Sequence, residues 1–359
     1  NERLHLSFSG QGVWVHKRFA SEILGLQVKQ IRVTNPDVGG GFGMKAMGYP
    51  EEFVVSFAAV HLKQPVRWMS ERTEAMLSDN AGRDLQHFAE LAFDANNKIV
   101  GYRVNTFCNL GAYNSRFGQN IQTGLFSKVL MGVYDVQNTY LNVLGIYTNT
   151  TQVDAYRGAG RPEAIYLLER MMDRAARELN IDPLELRRIN FIKKESFPYR
   201  SSTGEMIDVG DFDRVLTAAE ISADIKGFEQ RKKESEAKGR LRGLGLCYYI
   251  ESILGDPSEE AKVVFEEDGS VKIFVGTQSN GQGHETVFAQ FLSDQTGIPT
   301  EKIIVVQGDS DLIPRGGGTG GSRSVTVQNN ATLATVEKII QSFSQYLSEK
   351  LEIDVEDIG

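Results

Sequence analysis

The sequence is poor in the residues that usually build metal and redox centres. It holds only two cysteines, Cys108 and Cys247, in 359 residues. Two cysteines are too few for a structural zinc site, an iron–sulfur cluster or a disulfide framework. The five histidines show no spacing typical of metal ligands. We therefore expect that any metal used here arrives with a cofactor, and that the chain works in a reduced, cytoplasmic compartment.

Other functional signals are also missing. No Gly-x-Ser-x-Gly turn occurs, and Lys45 is not followed by the Ser or Thr of a Walker loop. The longest apolar run, residues 53–60, is far too short to span a membrane. A formal net charge of −8 argues against an extended nucleic-acid surface. With 41% hydrophobic and 24% charged residues, the composition is that of a globular protein long enough for two domains.

One short module occurs twice, at Leu4–Gly43 and at Val271–Gly321. Each copy predicts a strand, a Gly-Gln-Gly turn, an amphipathic helix, a second strand and a glycine-rich loop. Gly25 and Gly297 stand where the helices need a C-terminal cap. Two such loops suggest a two-sided cradle around one extended ligand.

The rest of the chain mixes strands and helices without a regular βαβ alternation, which favours an α+β fold over a doubly wound sheet. Predicted elements are strands at 28–33 and 303–306, hairpins at 89–107 and 263–275, and helices beginning at Pro50 and at 162–179, 212–238 and 323–351. The charged end of the 212–238 stretch indicates two domains, 1–238 and 239–359. Because the chain begins at Asn1 and ends at Gly359, we expect a segment of a larger polypeptide or one member of a processed set.

The glutamines of the two turns, Gln11 and Gln282, have little to contribute to packing between glycines. An amide offers both a donor and an acceptor to a ring edge or an oxo ligand; a solvent-facing turn is the alternative. The run Gly39–Gly43 lets backbone amides approach a ligand closely. The alternative there is a plain tight turn.

The second glycine-rich loop, Gly316–Gly321, opens the last predicted helix, Arg323–Leu351. Amides and hydroxyls at a helix start favour phosphate, and Ser322 and Ser324 supply the hydroxyls. A capped helix after a loop is the alternative.

A third element, Asp154–Glu163, places Arg157 and Arg161 around two glycines just before a helix start. Such a loop suits an anion or a polarised carbonyl. The alternative is a basic loop paired with nearby carboxylates.

Together these segments resemble the molybdenum hydroxylases, the large-subunit family of xanthine dehydrogenase, aldehyde oxidase and aerobic carbon monoxide dehydrogenase. Gln11 and the Gly-Gly-Phe-Gly run ending at Gly43 have the family's spacing. Asn280–His284 and Thr319–Ser324 are similar to its second and third cofactor loops. Ala155–Arg161, Ala-Tyr-Arg-Gly-Ala-Gly-Arg, is similar to its active-site loop. The resemblance implies two related molybdopterin-binding domains.

The resemblance also implies roles for single residues. Gln11 would hydrogen-bond an oxygen ligand of molybdenum, and Arg157 would lie near the substrate. The implied cofactor-binding residues are Gly41, Phe42, Gly43, Gln282, Gly283, His284, Thr319, Gly320, Gly321, Ser322 and Ser324. Pterin sulfurs, not protein ligands, would hold the metal. Further implications are the cytosine dinucleotide form of the cofactor, an iron–sulfur small subunit and an FAD medium subunit.

Three departures narrow the expected reaction. Gly158 stands where carbon monoxide dehydrogenases carry a cysteine, and Ala46-Met47 follows Lys45 where purine-type enzymes carry a glutamate. The family's general-base glutamate lies beyond this segment. We therefore expect part of an enzyme that hydroxylates an aldehyde or an N-heteroaromatic carbon with water-derived oxygen, the isolated segment being inactive. The alternatives are a cofactor-free scaffold with the same fold and, more distantly, a nucleotide-binding enzyme of another fold.

Overall fold

The computed structural model describes residues 3–254 and 259–358. The predicted end residues Asn1 and Gly359 lie outside this range. The chain forms two compact units, Asn1–Asp79 together with Ile253–Gly359, and Asn80–Ser252. The first unit is thus built from both ends of the sequence. The domain division predicted after residue 238 stays a prediction.

The secondary structure follows in chain order. The strands are β1 Leu4–Ser7, β2 Ile31–Thr34, β3 Leu85–Phe93, β4 Ile99–Gly111, β5 Thr139–Tyr147, β6 Tyr199–Arg200, β7 Met206–Ile207, β8 Ala261–Phe265, β9 Val271–Val275 and β10 Ile303–Val306. The helices are α1 Val13–Leu24, α2 Pro50–Leu62, α3 Arg72–Ser78, α4 Gly118–Asn120, α5 Phe126–Lys128, α6 Arg161–Glu178, α7 Pro183–Asn190, α8 Phe212–Ser222, α9 Phe228–Glu236, α10 His284–Thr296 and α11 Ser324–Leu351. A π-helical turn, Ile121–Leu125, joins α4 to α5.

The repeated module forms two parallel βαβ units in the first compact unit. β1 pairs with β2 around α1, and β9 pairs with β10 around α10. Both helices end on a glycine in the left-handed region, Gly25 with φ 66° and Gly297 with φ 73°. Only glycine adopts this conformation without steric cost. The predicted caps are therefore confirmed.

The two copies join at their second strands. An antiparallel bridge links Thr34, the last residue of β2, to Asp309, which follows β10. The amide of Ser310 donates to the carbonyl of Val33 at 2.9 Å, and the amide of Val33 donates back to Ser310 Oγ at 2.9 Å. These bonds connect residues 277 positions apart, so the repeat closes the first unit.

Each copy has its own apolar core. Strand and helix side chains of the first copy bury together, and those of the second copy pack against α11 through Val336. The residues are Leu6, Val13, Ala20, Ile31 and Val33 in the first copy, and Val271, Ile273, Val275, Phe288 and Leu292 in the second. Alternating strand residues and one helix face supply them, as the sequence pattern predicts.

The second unit is built on a three-stranded sheet, β3–β4–β5, with β3 antiparallel and β5 parallel to β4. The helix α6 has Pro162 in its first turn and buries Leu168 and Met172 in the core of this unit. This helix begins directly after loop 154–160, which contains Arg157. The sheet and α6 therefore form the frame that holds the loop.

Two predicted elements are wrong in detail. Residues 28–30 form a 3₁₀ turn and not the start of a strand. The predicted helical stretch 212–238 is two helices, because Asp224 adopts a left-handed conformation with φ 46° and a 3₁₀ turn, Ile225–Gly227, follows it.

Candidate functional site

Three loops of the first unit meet around Gln11. We call them the first loop (Gly39–Gly43), the second loop (Ser279–Gly283) and the third loop (Gly316–Ser324), and together the three-loop cradle. Gln11 is buried, with 5% of its surface exposed. Its Oε1 accepts from the Gly43 amide at 2.8 Å, and its Nε2 donates to the Thr319 carbonyl at 2.8 Å. The expectation that a glutamine here has little to do in packing is wrong for Gln11, which links the first loop to the third.

The first loop also packs on the second. The Gly40 amide donates to the Asn280 carbonyl at 2.9 Å. A Cβ on Gly41 would lie 2.7 Å from Gln11 Cγ and 2.8 Å from Asn280 Nδ2. A side chain at position 41 would therefore push the loops apart. Beyond this contact, Phe42 adopts φ 54° and exposes 55% of its surface.

Hydroxyl groups join the third loop to the end of β9. Thr319 Oγ1 donates to the Gln278 carbonyl at 2.6 Å and lies 2.9 Å from Ser324 Oγ. The hydroxyls of Thr319 and Ser324 are thus bonded within the protein, whereas Ser322 is exposed with φ 58°. Of the predicted third-loop side chains, Ser322 alone presents an exposed hydroxyl.

The arginine of the third loop is neutralised internally. The Arg323 guanidinium pairs with the buried carboxylate of Glu259, which also accepts from the Gly317 amide at 3.2 Å. Arg323 itself is 8% exposed. Its charge therefore fixes the loop, and the groups left to bind a phosphate are amides and hydroxyls.

The second glutamine differs from the first. Gln282 is exposed, and its Oε1 accepts from the Asn280 amide at 2.6 Å. Its Nε2 lies 3.0 Å from Nε2 of His284. His284 is 2% exposed, and within the described residues its Nδ1 has no hydrogen-bond partner. Burial lowers the pKa of His284, so its imidazole is neutral at pH 7.

Three helices begin at the cradle. The caps of α1, α10 and α11 are Gly12, Gly283 and Arg323, and within the described chain none of them bonds its helix through a side chain. Free amides and the positive helix end attract anions. Within the part of the chain that the structure describes, Cβ atoms on Gly281, Gly283 or Gly320 would meet nothing within 4 Å. Open backbone, uncapped helix starts and the unpaired Nδ1 of His284 fit a ligand with a phosphate group and a polar ring edge.

Lys45 holds the base of the first loop. Its Nζ donates to the Val38 carbonyl at 2.5 Å and to Ser9 Oγ at 3.0 Å. Partial burial lowers the pKa of this ammonium. Lys45 therefore fixes where the first loop starts relative to the Gln11 turn.

In the second unit, loop 154–160 is held by buried charges. Asp154 is 1% exposed and accepts from the amides of Arg116 and Phe117 at 2.8 and 3.2 Å. Arg161 is 1% exposed, with Nε 2.9 Å from Glu251 Oε1. For Arg161 the pairing alternative is therefore right. Arg157, by contrast, is exposed.

The loop has an unusual backbone at its centre. Gly158, Ala159 and Gly160 have φ values of 100°, 38° and 90°. A Cβ on Gly158 would lie 2.2 Å from Pro162 Cγ, and one on Gly160 would lie 2.5 Å from the Ile121 carbonyl oxygen of the π-helical turn. Both positions therefore require glycine.

Glu163, in the first turn of α6, is buried and 3.2 Å from Arg83 Nε. Cys108 lies nearby, and burial, with the charge of Glu163, raises the pKa of its thiol to about 12. The thiol is therefore protonated and unsuited to nucleophilic chemistry.

Sequence reasoning missed Arg83, Glu251 and Glu259, each of which holds a loop of a candidate site. Each lies 58 or more residues from the loop residue that it contacts. No local pattern marks such residues.

The described chain, residues 3–254 and 259–358, has no cluster of three or more His, Cys, Asp or Glu side chains placed to bind a metal. Over the same residues, no helix is both long and apolar enough to cross a membrane.

Comparison with known proteins assigns the family. Profiles of the molybdopterin cofactor-binding domain match residues 1–191 and 218–359. The chain is 33% identical to the carbon monoxide dehydrogenase large chain of Hydrogenophaga pseudoflava over 98% of this chain and 46% of that protein. It is 32% identical to the nicotine 6-hydroxylase large subunit of Paenarthrobacter nicotinovorans, over 99% of this chain and 45% of that one.

A solved structure, quinoline 2-oxidoreductase from Pseudomonas putida 86, superposes with a TM-score of 0.92 at 28% identity, over 99% of this chain and 47% of that one. The chain thus spans about half the length of the curated relatives that it matches. The predicted α+β fold with two molybdopterin-binding domains is confirmed. The chain belongs to the molybdopterin cofactor-binding family, the large subunits of the molybdenum hydroxylases.

Proposed function

We propose that this chain binds the molybdenum cofactor in an oxidoreductase that hydroxylates an aldehyde or an N-heteroaromatic carbon with water-derived oxygen. One observation carries the proposal. Gln11 bonds the first and third loops, the second loop packs on the first, and three helices that lack side-chain caps among the described residues begin there. When bound, the cofactor supplies a two-electron oxidant and delivers oxygen that derives from water. The protein supplies binding, orientation and electrostatics.

The cradle residues divide the cofactor between them. Gln11 and Phe42 would contact the metal end, and Gln282, His284 and Ser322 would hold the pterin and its tail. The Gln11 Nε2 group carries two protons, of which Thr319 accepts one. The uncapped starts of α10 and α11 suit a pyrophosphate, which supports the cytosine dinucleotide form.

The remaining predicted residues act through their backbone or hold the cradle together. Gly41, Gly43, Gly283, Gly320 and Gly321 let the chain approach the cofactor closely. Thr319 and Ser324 bond each other within the third loop. We propose that they keep this loop in the shape that presents Ser322.

The electrons leave through partner chains. With two cysteines, this chain is too poor in thiolates for the four-cysteine iron–sulfur clusters. We therefore assign the clusters to an iron–sulfur small subunit and the flavin to an FAD medium subunit, all in the cytoplasm.

The substrate class rests on loop 154–160. Arg157 is exposed on it and is proposed to contact the substrate. A cysteine at position 158, as the resemblance implies for carbon monoxide chemistry, would need φ near 100° and a Cβ 2.2 Å from Pro162 Cγ. This backbone disfavours carbon monoxide. Two relatives are named for quinoline and nicotine, which supports an N-heteroaromatic substrate.

The proton acceptor is proposed to lie outside this segment. Asp154 and Glu163 are the carboxylates nearest to Arg157 along the chain, and both are buried. Asp154 accepts from the amides of Arg116 and Phe117, and Glu163 is ion-paired with Arg83. A general base must reach the proton that it removes. The 359 residues alone are therefore expected to be inactive.

The test uses the chain in its native complex. Molybdenum by elemental analysis, pterin by fluorescence after oxidation and cytidine monophosphate after acid hydrolysis should be found in equal amounts. A blank for all three would favour the cofactor-free scaffold. A turnover screen of aldehydes, N-heteroaromatics and carbon monoxide then assigns the substrate.

A matched pair of variants tests the site. Gln282→Ala should lower cofactor retention about tenfold, because an exposed polar contact to the ligand is lost. Gln345→Ala, at an exposed glutamine on α11, should leave retention unchanged. Equal retention in both would remove Gln282 from the site.

A further inference from the structure

The centre of loop 154–160 has a backbone that needs outside support. Three successive residues, Gly158, Ala159 and Gly160, have positive φ. Ala159, with φ 38°, carries a side chain in a region that such residues rarely adopt. Backbone of this kind persists only where the surrounding structure determines it. Some group outside the loop must therefore hold residues 158–160 in this conformation.

One guanidinium contacts the loop on both sides of this centre. Arg83 Nη2 donates to the Tyr156 carbonyl at 3.1 Å and to the Arg157 carbonyl at 2.5 Å. Its Nε lies 3.2 Å from Oε1 of Glu163, just after the loop. The guanidinium also lies 5.1 Å from the ring centre of Tyr156. Arg83 therefore bridges the entry of the loop and the first turn of α6.

Glu163 anchors this arginine. Its side chain is 2% exposed, and within the described residues neither carboxylate oxygen has a hydrogen bond. A buried carboxylate needs a cation beside it. Arg83 supplies that charge, so the ion pair fixes the guanidinium in the place where it meets the two carbonyls.

We propose that Arg83 is a positioning residue that holds Arg157 in its working place, anchored by Glu163. The inference rests on the proposed function only in giving Arg157 a role at the substrate. The chemistry calls for arginine and not lysine. A planar guanidinium directs several N–H groups at once, whereas an ammonium is one point charge. Lysine at 83 would keep the ion pair with Glu163 and lose the grip on the carbonyls.

The first test is hydrogen exchange on the full chain. The amides of Ala159 and Arg161 bond within the loop, to the carbonyls of Tyr156 and Gly158. In Arg83→Lys these two amides should exchange about tenfold faster through local opening, while β4 is unchanged. Unchanged loop exchange, or faster exchange throughout the second unit, would overturn the proposal.

Two further variants serve as a control and as a second test. Arg103→Lys changes an exposed arginine that pairs with Glu90 on the same sheet, and it should alter neither region. Glu163→Gln keeps an acceptor but removes the charge, so loop exchange should rise less, about threefold. If Arg83→Lys does not fold, Glu163→Gln carries the test, and loop exchange equal to wild type then counts against the proposal.

The second test is turnover in the assembled enzyme. Arg83→Lys should lower kcat/KM about a hundredfold, since small misplacements of a substrate contact cost this much. Molybdenum and pterin contents should stay at wild-type values. A loosened loop with unchanged kcat/KM would refute the positioning role. Absence of turnover in wild type would instead sink the proposed function and leave the exchange result standing.

Discussion

Gln11 and Gln282 occupy the same place in two copies of one module, between two glycines and just before a helix. Gln11 is buried, and both ends of its amide bond other loops of the cradle. Gln282 is exposed, and among the described residues its amide bonds only its neighbours Asn280 and His284. One copy uses its glutamine to build the protein, and the other presents it at the surface.

The difference arises from what covers each turn. Gly12, after Gln11, packs against the third loop, where a Cβ would lie 2.8 Å from Gly318 Cα. Gly283, after Gln282, has no atom of residues 3–254 or 259–358 within 4 Å of its Cβ position. A shared local pattern therefore encodes the turn, while residues distant in sequence decide whether its glutamine is buried between loops or exposed.

The largest effect on stability should come from adding a side chain where the third loop packs on the Gln11 turn. Gly318→Ala places a Cβ 2.3 Å from the Gln11 carbonyl oxygen at φ 71°. The clash with backbone and the strained φ should cost about 3 kcal/mol of the free energy of unfolding. Gly320→Ala, with nothing within 4 Å, is the control in the same loop. Urea unfolding measures both, and equal midpoints would mean that the third loop does not press on the first turn.

The next largest effect appears when the stabilities of the Gln11→Ala and Gln282→Ala variants are compared. Gln11→Ala leaves the Gly43 amide and the Thr319 carbonyl without their bonds, which should cost about 2 kcal/mol. Gln282→Ala, at an exposed position, should change stability by no more than about 0.5 kcal/mol. If the two variants unfold at the same urea concentration, the proposed division of labour between the copies is incorrect.

A smaller effect concerns the junction of the copies and depends on pH. Burial alone would raise the pKa of Asp309, but hydrogen bonds from Arg32 and from the Asp311 amide lower it. A depressed carboxylate pKa stabilises the fold above the unfolded pKa, and this contribution is lost as pH falls through the folded pKa. Asp309→Asn should therefore weaken the fold at pH 7 and flatten the loss of stability below about pH 4. Parallel curves for variant and wild type from pH 7 to pH 2 would exclude this origin.

The smallest expected effect on stability concerns the first residue of each module's helix, which is Val13 in α1 and His284 in α10. Burial lowers the pKa of His284, so the unfolded chain binds this proton more readily and stability should fall as pH drops below about 6.5. His284→Val copies the first module and should remove this slope with little change at pH 7. The urea midpoint at about pH 5 and pH 7 provides the check. A slope that survives the substitution must come from other groups.

Local signals predicted the elements that depend on local physics. The helix caps Gly25 and Gly297 follow from the left-handed turn that each helix end needs. Where geometry departs from periodicity, the prediction failed. The apolar pattern of residues 28–33 does not show that residues 28–30 form a 3₁₀ turn. The helical pattern of residues 212–238 likewise does not show the left-handed Asp224 that divides α8 from α9.

The candidate sites were predictable in their glycines and turns but not in their supports. Gly41 and Gly158 belong to patterns that the sequence displays, and the structure leaves no room for a side chain at either. The charge of Arg161 was expected to serve a ligand, yet Glu251 neutralises it. Glu259 likewise neutralises Arg323 at the third loop. Such partners are found only once the chain has folded, because they lie far away in sequence.

The junction of the two copies also sets an order of events during synthesis. Val33 bonds Ser310, and Gln11 bonds Thr319, so neither contact exists until the ribosome has made more than three hundred residues. The stretch Asn80–Ser252 emerges whole before the first unit can close. The three-loop cradle is therefore completed late, and a cofactor that needs all three loops can be inserted only after translation has passed the third. Until then, β2 of the first copy lacks its contacts with the second copy. Exposed apolar strand edges of this kind make an incomplete chain prone to aggregation.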